Sequence, residues 1–326
     1  MPRSASTARP STRSGRSSSG AEPAPGTAGP VGRFAPSPTG ALHFGGAVTA
    51  LASWLAARHA GGGWRLRIDD HDPPRTRAQA LASLPTSLAR LGLHWDGPIQ
   101  FQQPLYAEHR ARRDDLLRQD LAYWCGCSRR EIAAAARPGP AGRVYGGHCR
   151  ELGLAPAAHR SVRLRVDPLR TVTLDDGIQG RIGATGAELG DFLIWRADDL
   201  PAYQLAAVGA DAAAGITQLL RGYDLVHATL MQQLLREALR LAQPQVMHVP
   251  LATNPAGVKL SKASEAVPVD RRAPPALLRA ALQFLGQPAP PIQLHEPETI
   301  LAFACEHWQL AAVPRLAAKP APPVAL

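Results

Sequence analysis

Lysine is nearly missing from this chain of 326 residues: it occurs only at Lys259, Lys262 and Lys319, so almost every one of the 36 basic residues is arginine. Two of the three lysines share one tetrapeptide, which chance scatter does not explain. Cysteine is scarce as well. Residues 125, 127, 149 and 305 are too few and too clustered for the disulfide framework of a secreted domain, and they point to a reducing compartment. Long apolar runs are absent, for no stretch approaches the roughly 20 residues that span a bilayer. The N-terminus has arginines without the apolar core of a secretory signal, so a cytoplasmic protein with no membrane partner is expected. What is present is a hydrophobic fraction of 45%, enough for a sizeable core in one large domain or two modest ones. With 26 acidic residues the formal charge is +10, which suits a polyanionic partner.

Residues 1–30 hold Ser, Thr, Arg, Pro, Gly and Ala with hardly a large apolar side chain, so they cannot offset their own ordering entropy and disorder is expected. The next stretch differs. Arg33-Phe34-Ala35-Pro36-Ser37-Pro38-Thr39-Gly40-Ala41-Leu42-His43-Phe44-Gly45-Gly46 sets a basic residue and two stiffening prolines before an apolar helical run at 47–57. A strand-to-helix junction of this kind receives anions, because the first helical turn offers unpaired N–H groups and the positive end of a dipole. Gly45 and Gly46 let the backbone approach a ligand, which His43 is expected to face. A helix is predicted over Ala47 to His59, and the alternation Trp64-Arg65-Leu66-Arg67-Ile68 adds a strand, giving a β-α-β unit. Asp69, Asp70 and Asp72 follow at the carboxyl end of that strand, where open α/β sheets place ligands. Carboxylates so close need a cation, an amine or helix N-termini; a capping cluster before a helix at 78–92 is the competing reading.

A charged helix over Tyr106 to Leu121 leads to Cys125 and Cys127, and a Pro/Gly-rich stretch to Tyr145, His148 and Cys149. Three thiols at this spacing look like a structural metal knuckle, whose fourth ligand must be oxygen or nitrogen from Tyr145 or His148. Short alternating strands between Ser161 and Ile182 suggest a β-rich insert. Asp191–Arg196 and Pro201–Ala210 are read as apolar strands, with Gly215–Asp224 leading to an amphipathic helix over 225–242. Tyr203 and Arg221 would lie where those strands meet a crevice. Lys259 and Lys262, three residues apart in a loop, suit a triphosphate. Short helices at 273–284 and 298–312 complete the pattern.

The stretch from Arg33 to Gly45 resembles the signature opening of glutamate-type class I aminoacyl-tRNA synthetases, with His43 to Gly46 at the family's HIGH element. Arg67, Asp70, Asp72 and Arg75 match its acidic segment, in which Asp69 replaces the usual glutamate. Pro201–Ala206 and Leu220–Asp224 resemble two more elements, although Gln204 replaces an asparagine and Val208–Ala214 a commonly diacidic segment. Lys259-Leu260-Ser261-Lys262 resembles the KMSKS signature.

This resemblance covers roughly residues 31–265 and implies a doubly wound, Rossmann-type parallel sheet. Its halves would be 31–120 and 191–265, with an inserted zinc-containing subdomain at 121–190 and a short helical region at 266–326, too small for an anticodon-binding domain. It implies that Arg33, Phe34, Ala35, Pro36, Ser37, Asp69, Tyr203 and Arg221 bind L-glutamate, Arg221 taking the side-chain carboxylate. His43, Gly45, Gly46 and Lys262 would bind ATP with Mg2+, and His43, Lys259 and Lys262 would be catalytic. One structural Zn2+ would rest on Cys125, Cys127, Tyr145 and Cys149. For the branch without an anticodon-binding domain, the implied activity is tRNA-independent activation of glutamate and its transfer to queuosine in the anticodon of tRNA(Asp), by a monomer. A tRNA-dependent synthetase of unusual size and a catalytically silent, zinc-stapled RNA-binding module are the alternatives.

Overall fold

The computed structural model describes residues 29–140, 142–260 and 267–323. The disorder expected at 1–30 concerns residues that, up to 28, lie outside this range, and so does Lys262.

The chain opens with β1 (Val31–Phe34), α1 (Phe44–His59) and β2 (Gly63–Ile68), and β1 pairs with β2 in parallel, Arg33 opposite Arg65. Small side chains explain how α1 crosses over so closely: Ala47, Ala50, Ala52 and Ala57 are buried along it. The helix starts three residues earlier than the sequence predicts, so Gly45 and Gly46 belong to its first turn. A Cβ on Gly46 would come within 2.7 Å of Leu42 Cδ1, which gives that glycine a packing reason. Then come α2 (Ala78–Arg90), β3 (Gln100–Phe101), parallel to β2, and α3 (Tyr106–Arg118).

The middle of the chain is built differently. It comprises β4 (Ala122–Cys125), α4 (Arg129–Ala135), β5 (Arg137–Gly139), β6 (Gly142–Val144), β7 (Ser161–Leu164), β8 (Thr171–Asp176), β9 (Gly180–Thr185), α5 (Gly186–Leu189) and β10 (Leu193–Trp195). β7 is central in an antiparallel trio with β4 and β10, while β8 and β9 form a hairpin.

Parallel pairing returns after α6 (Tyr203–Ala213), in β11 (Gln218–Gly222), α7 (Val226–Ala238) and β12 (Gln245–Val249). Val31 and Thr217 stitch the two parallel sheets together: Thr217 N–H donates to Val31 O at 3.0 Å, and Val31 N–H to Thr217 Oγ1 at 2.9 Å. The last elements are β13 (Leu251–Thr253), α8 (Pro274–Phe284), α9 (Pro297–Glu306) and β14 (Ala318–Pro320). β14 lies parallel to β13, whose other side holds the signature loop: Thr253 bridges to Lys259, and Leu260 N–H donates to Ala252 O at 2.8 Å.

Two sequence expectations are corrected here. Residues 191–196 do not join a parallel sheet, for β10 runs antiparallel to β7. Residues 201–210 are not a strand at all but the cap and first turns of α6. Leu205 to Asp211 are buried on every side, so the run shows neither a helical nor a strand period; its alanine content then favours helix. Among the described residues, no helix is long and apolar enough to cross a membrane.

Candidate active site

A cavity of about 220 Å3 opens between the end of β1, the first turn of α1 and the end of β11. Arg33, Phe34, Ala35, Asp69, Tyr203 and Arg221 line it, and Gly45 and Lys259 stand at its border. Strand geometry explains the convergence. Arg33, Arg67 and Arg221 sit on three parallel strands, and all three turn toward one carboxylate on α6. That carboxylate is Asp211, which is completely buried.

Arg67 Nη1 donates to Asp211 Oδ1 at 2.5 Å and Arg33 Nε at 3.2 Å, while Arg221 Nη2 and Arg236 Nη2 lie 3.5 Å from Oδ2. Burial alone would raise the Asp211 pKa, but the charges of Arg33, Arg67 and Arg221 outweigh it and hold the carboxyl well below the usual range. Burial also pushes Arg221 down to about 10, which leaves it cationic at neutral pH. Among the described residues, the carboxylates that pair with these four guanidinium groups are Asp211 and Asp69. Arg67 Nη2 and Arg221 Nε, both buried, have no hydrogen-bond partner. A site with surplus buried cation and idle donors is built to take an anionic ligand.

Asp69 is held for a complementary task. Its Oδ1 accepts from Arg67 Nε and from Gln102 Nε2, both at 2.7 Å, which fixes the carboxylate at the cavity wall. Gln102 is itself fixed, since its N–H donates to Asp70 Oδ1 at 2.7 Å and its Oε1 accepts from His109 Nε2 at 3.2 Å. Burial lowers His109 to about 4, so its ring is neutral. Asp72 accepts from Arg75 at 2.5 Å and stands 3.2 Å from Arg196, and it makes no side-chain cap. The acidic segment is thus neutralised mainly by arginines.

The remaining predicted residues lie beside this cavity. Pro36, Ser37 and His43 line an adjoining recess of about 540 Å3, and Phe34, Gly46, Lys259 and Leu260 border both spaces. His43 is the N-cap of α1 through its backbone, without a side-chain cap bond. Lys259 forms an ion pair with Asp224 across the cavity border. Sequence reasoning missed Asp211, Arg236 and Gln102. A lone carboxylate in the alanine run 202–214 was the available signal for Asp211; nothing in the sequence marked Gln102.

Away from the cavity, the sulfurs of Cys125, Cys127 and Cys149 all lie within 4.8 Å of one another, a group that can hold a metal ion. The Tyr145 hydroxyl is 3.4 Å from Cys125 Sγ, 3.3 Å from Cys127 Sγ and accepts from Cys149 N–H at 2.9 Å. His148 is exposed and outside this group. Burial would raise the Cys125 thiol, yet contacts with Tyr145 and Arg163 outweigh it and hold the thiol down to about 7, whereas burial pushes Cys127 up to about 11.

The α/β architecture and this cavity define the catalytic domain of class I tRNA synthetases (E and Q), whose family model matches residues 31–279. Relatives narrow the assignment. Glutamyl-Q tRNA(Asp) synthetase of Shewanella amazonensis is 43% identical over 287 residues, covering 87% of this chain and 94% of the relative. The protein of the same name from Xanthomonas campestris pv. campestris is 44% identical over 288 residues, covering 88% and 94%. The chain therefore belongs to the glutamyl-Q tRNA(Asp) synthetase family, and it is an enzyme of the ligase class. A glutamate tRNA ligase from Elizabethkingia meningosepticum shares the fold, with a TM-score of 0.75 at 23% identity over 90% of this chain and 67% of that one.

Proposed function

We propose that this protein activates L-glutamate with ATP, without tRNA, and transfers the glutamyl group to queuosine in the anticodon of tRNA(Asp). The observation that carries the reading is the cavity floor: Arg33 and Arg221, backed by Arg67 and Arg236, exceed the charge of Asp211 and Asp69. Glutamate brings two carboxylates and one ammonium to such a floor. Arg221 takes the side-chain carboxylate, which a guanidinium fork selects over an amide. Asp69 and Tyr203 hold the ammonium end, and Arg33 orients the α-carboxylate with help from the loop of Phe34, Ala35, Pro36 and Ser37.

The α-carboxylate attacks the α-phosphorus of ATP and pyrophosphate leaves; the nucleophile is already ionised, so the protein supplies position and charge. In this reading His43 and the first turn of α1 at Gly45 and Gly46 receive the nucleotide phosphates, and Lys259 and Lys262 the departing pyrophosphate. Mg2+ bound with ATP would neutralise phosphate charge. The two parallel sheets serve as the halves of a doubly wound scaffold, 31–120 and 191–265. Between them, 121–190 is a subdomain stapled by one structural Zn2+ on Cys125, Cys127, Cys149 and Tyr145 oxygen, and 266–326 is a short helical region. The reading carries with it a cytoplasmic monomer.

ATP–pyrophosphate exchange tests it. Exchange with glutamate alone is expected, and little with glutamine or aspartate. Exchange only in the presence of tRNA would replace this reading with a tRNA-dependent synthetase, and none under either condition, in folded protein, with the silent RNA-binding module.

A further inference from the structure

Behind Arg221 runs a buried polar chain that the chemistry above does not use. Arg221 Nη1 donates to Thr229 Oγ1 at 3.2 Å and to Gln232 Oε1 at 2.6 Å. Thr229 Oγ1 stands 2.9 Å from His248 Nε2, and His248 Nδ1 stands 2.6 Å from Asp176 Oδ2. Asp176 is anchored in turn: its Oδ1 accepts the N–H groups of Ile178 at 2.9 Å, Gln179 at 2.8 Å and His248 at 3.2 Å. Gln232 is turned the right way by donating from Nε2 to Gln204 Oε1 at 2.9 Å. Arg221, Thr229, Gln232, His248 and Asp176 are all buried, none more than 5% exposed.

The chain has a direction. Burial keeps His248 below its ordinary pKa despite Asp176, so the ring is neutral at pH 7. A carboxylate can only accept, so Nδ1 carries the proton and Nε2 accepts from the Thr229 hydroxyl. The single hydroxyl proton is shared between His248 Nε2 and Leu225 O, to which Oγ1 donates at 2.9 Å, and the oxygen's lone pairs receive Arg221. The order hydroxyl, imidazole, carboxylate is also that of a nucleophilic triad. Here a guanidinium caps the hydroxyl, so the chain ends in an orienting contact rather than in attack.

The consequence falls on the fork of Arg221. Both protons of Nη1 are taken by Thr229 and Gln232, whereas Nε and Nη2 make no hydrogen bond, Nη2 standing 3.5 Å from Asp211 Oδ2 in a looser ion pair. Those two nitrogens are an edge that grips a carboxylate in bidentate fashion. We propose that Thr229, His248 and Asp176, with Gln232, are positioning residues that reserve the Nε/Nη2 edge of Arg221 for the side-chain carboxylate of the amino acid. The inference rests on Arg221 holding that carboxylate. Asp176 ends β8, so a hairpin from the middle of the chain sets the selectivity of a cavity built by β1 and β11.

Glutamate-dependent ATP–pyrophosphate exchange by the full chain tests the proposal, with KM measured for glutamate and for ATP. Thr229→Val keeps the volume and removes Oγ1; since a hydrogen bond to a charged group is involved, the KM for glutamate is expected to rise about tenfold. The KM for ATP should stay within about twofold, discrimination against glutamine should fall, and Thr229→Ser should restore the original values. An unchanged KM for glutamate, or equal rises for glutamate and ATP, overturns the proposal. Should Thr229→Val not fold, Gln232→Met removes the other acceptor of Nη1 and is judged by the same split. Arg221→Leu in parallel separates the two layers. If it spares glutamate activation, the role given to Arg221 falls; if it abolishes activation while Thr229→Val behaves as the unsubstituted chain, only the positioning role falls.

Discussion

Replacing Asp211 by asparagine keeps the shape of the cavity floor and removes its counter-charge. Arg33, Arg67, Arg221 and Arg236 would then crowd a neutral amide, and a loss of about 3–5 kcal/mol, the cost of breaking a buried pair, is expected in urea unfolding. A loss below about 1 kcal/mol would show that the arginines need no carboxylate. The pH dependence has a definite sign. Because the Asp211 pKa is depressed in the folded state, its stabilisation is present above the ordinary carboxyl range and fades as pH falls below about 4. The gap in melting temperature between the two proteins should therefore be constant from neutrality to about pH 5 and narrow below about 4. Much of this site was legible at the level of single residues: Arg33, Asp69, Tyr203 and Arg221 stand in motifs, and they line one cavity. Asp211 was visible only as a departure from a diacidic pattern, because its meaning comes from arginines on three strands and a helix. Gln102 was illegible, for its role arises where β3 meets the end of β2, 33 positions from Asp69.

Among the elements, α1, β2, α2 and α3 overlap the spans read from the sequence, with the clearest helical period in α2 and a clean alternation in β2. α6 was not legible, since a helix buried all round presents a continuous apolar run, and such a run fits a strand equally well. The misreading had a cost at Tyr203, which opens a helix instead of standing in a strand. The knuckle raises a separate expectation. Tyr123, Cys125, Tyr145 and Cys149 form a small core of their own around a thiol group that can hold a metal ion, and under the zinc reading that ion would staple the surrounding loops. Cys149→Ser should lower bound zinc from about one per chain to none by metal analysis. Glutamate exchange should largely survive while transfer to tRNA falls, because the cavity lies elsewhere. Full zinc retention would mean that Cys149 is no ligand.

For the whole molecule, the charge of +10 makes a prediction about the tRNA. If binding neutralises several phosphates, affinity should fall by roughly a thousandfold between 50 and 200 mM salt, as filter binding or fluorescence anisotropy would read. A flat salt response would leave the arginine surplus serving the cavity alone. Charge and composition had pointed to a polyanion from the start, but they could not say how the parts are tied. The pairing of β14 with β13 is one such tie, and it bears on the timing of biosynthesis. A nascent chain emerges N-terminus first, so both signatures are made while β13 still lacks the strand beside it. The root of the lysine loop is completed only when α8, α9 and β14 have followed, and a chain interrupted before then is expected to hold its catalytic vocabulary without spending ATP.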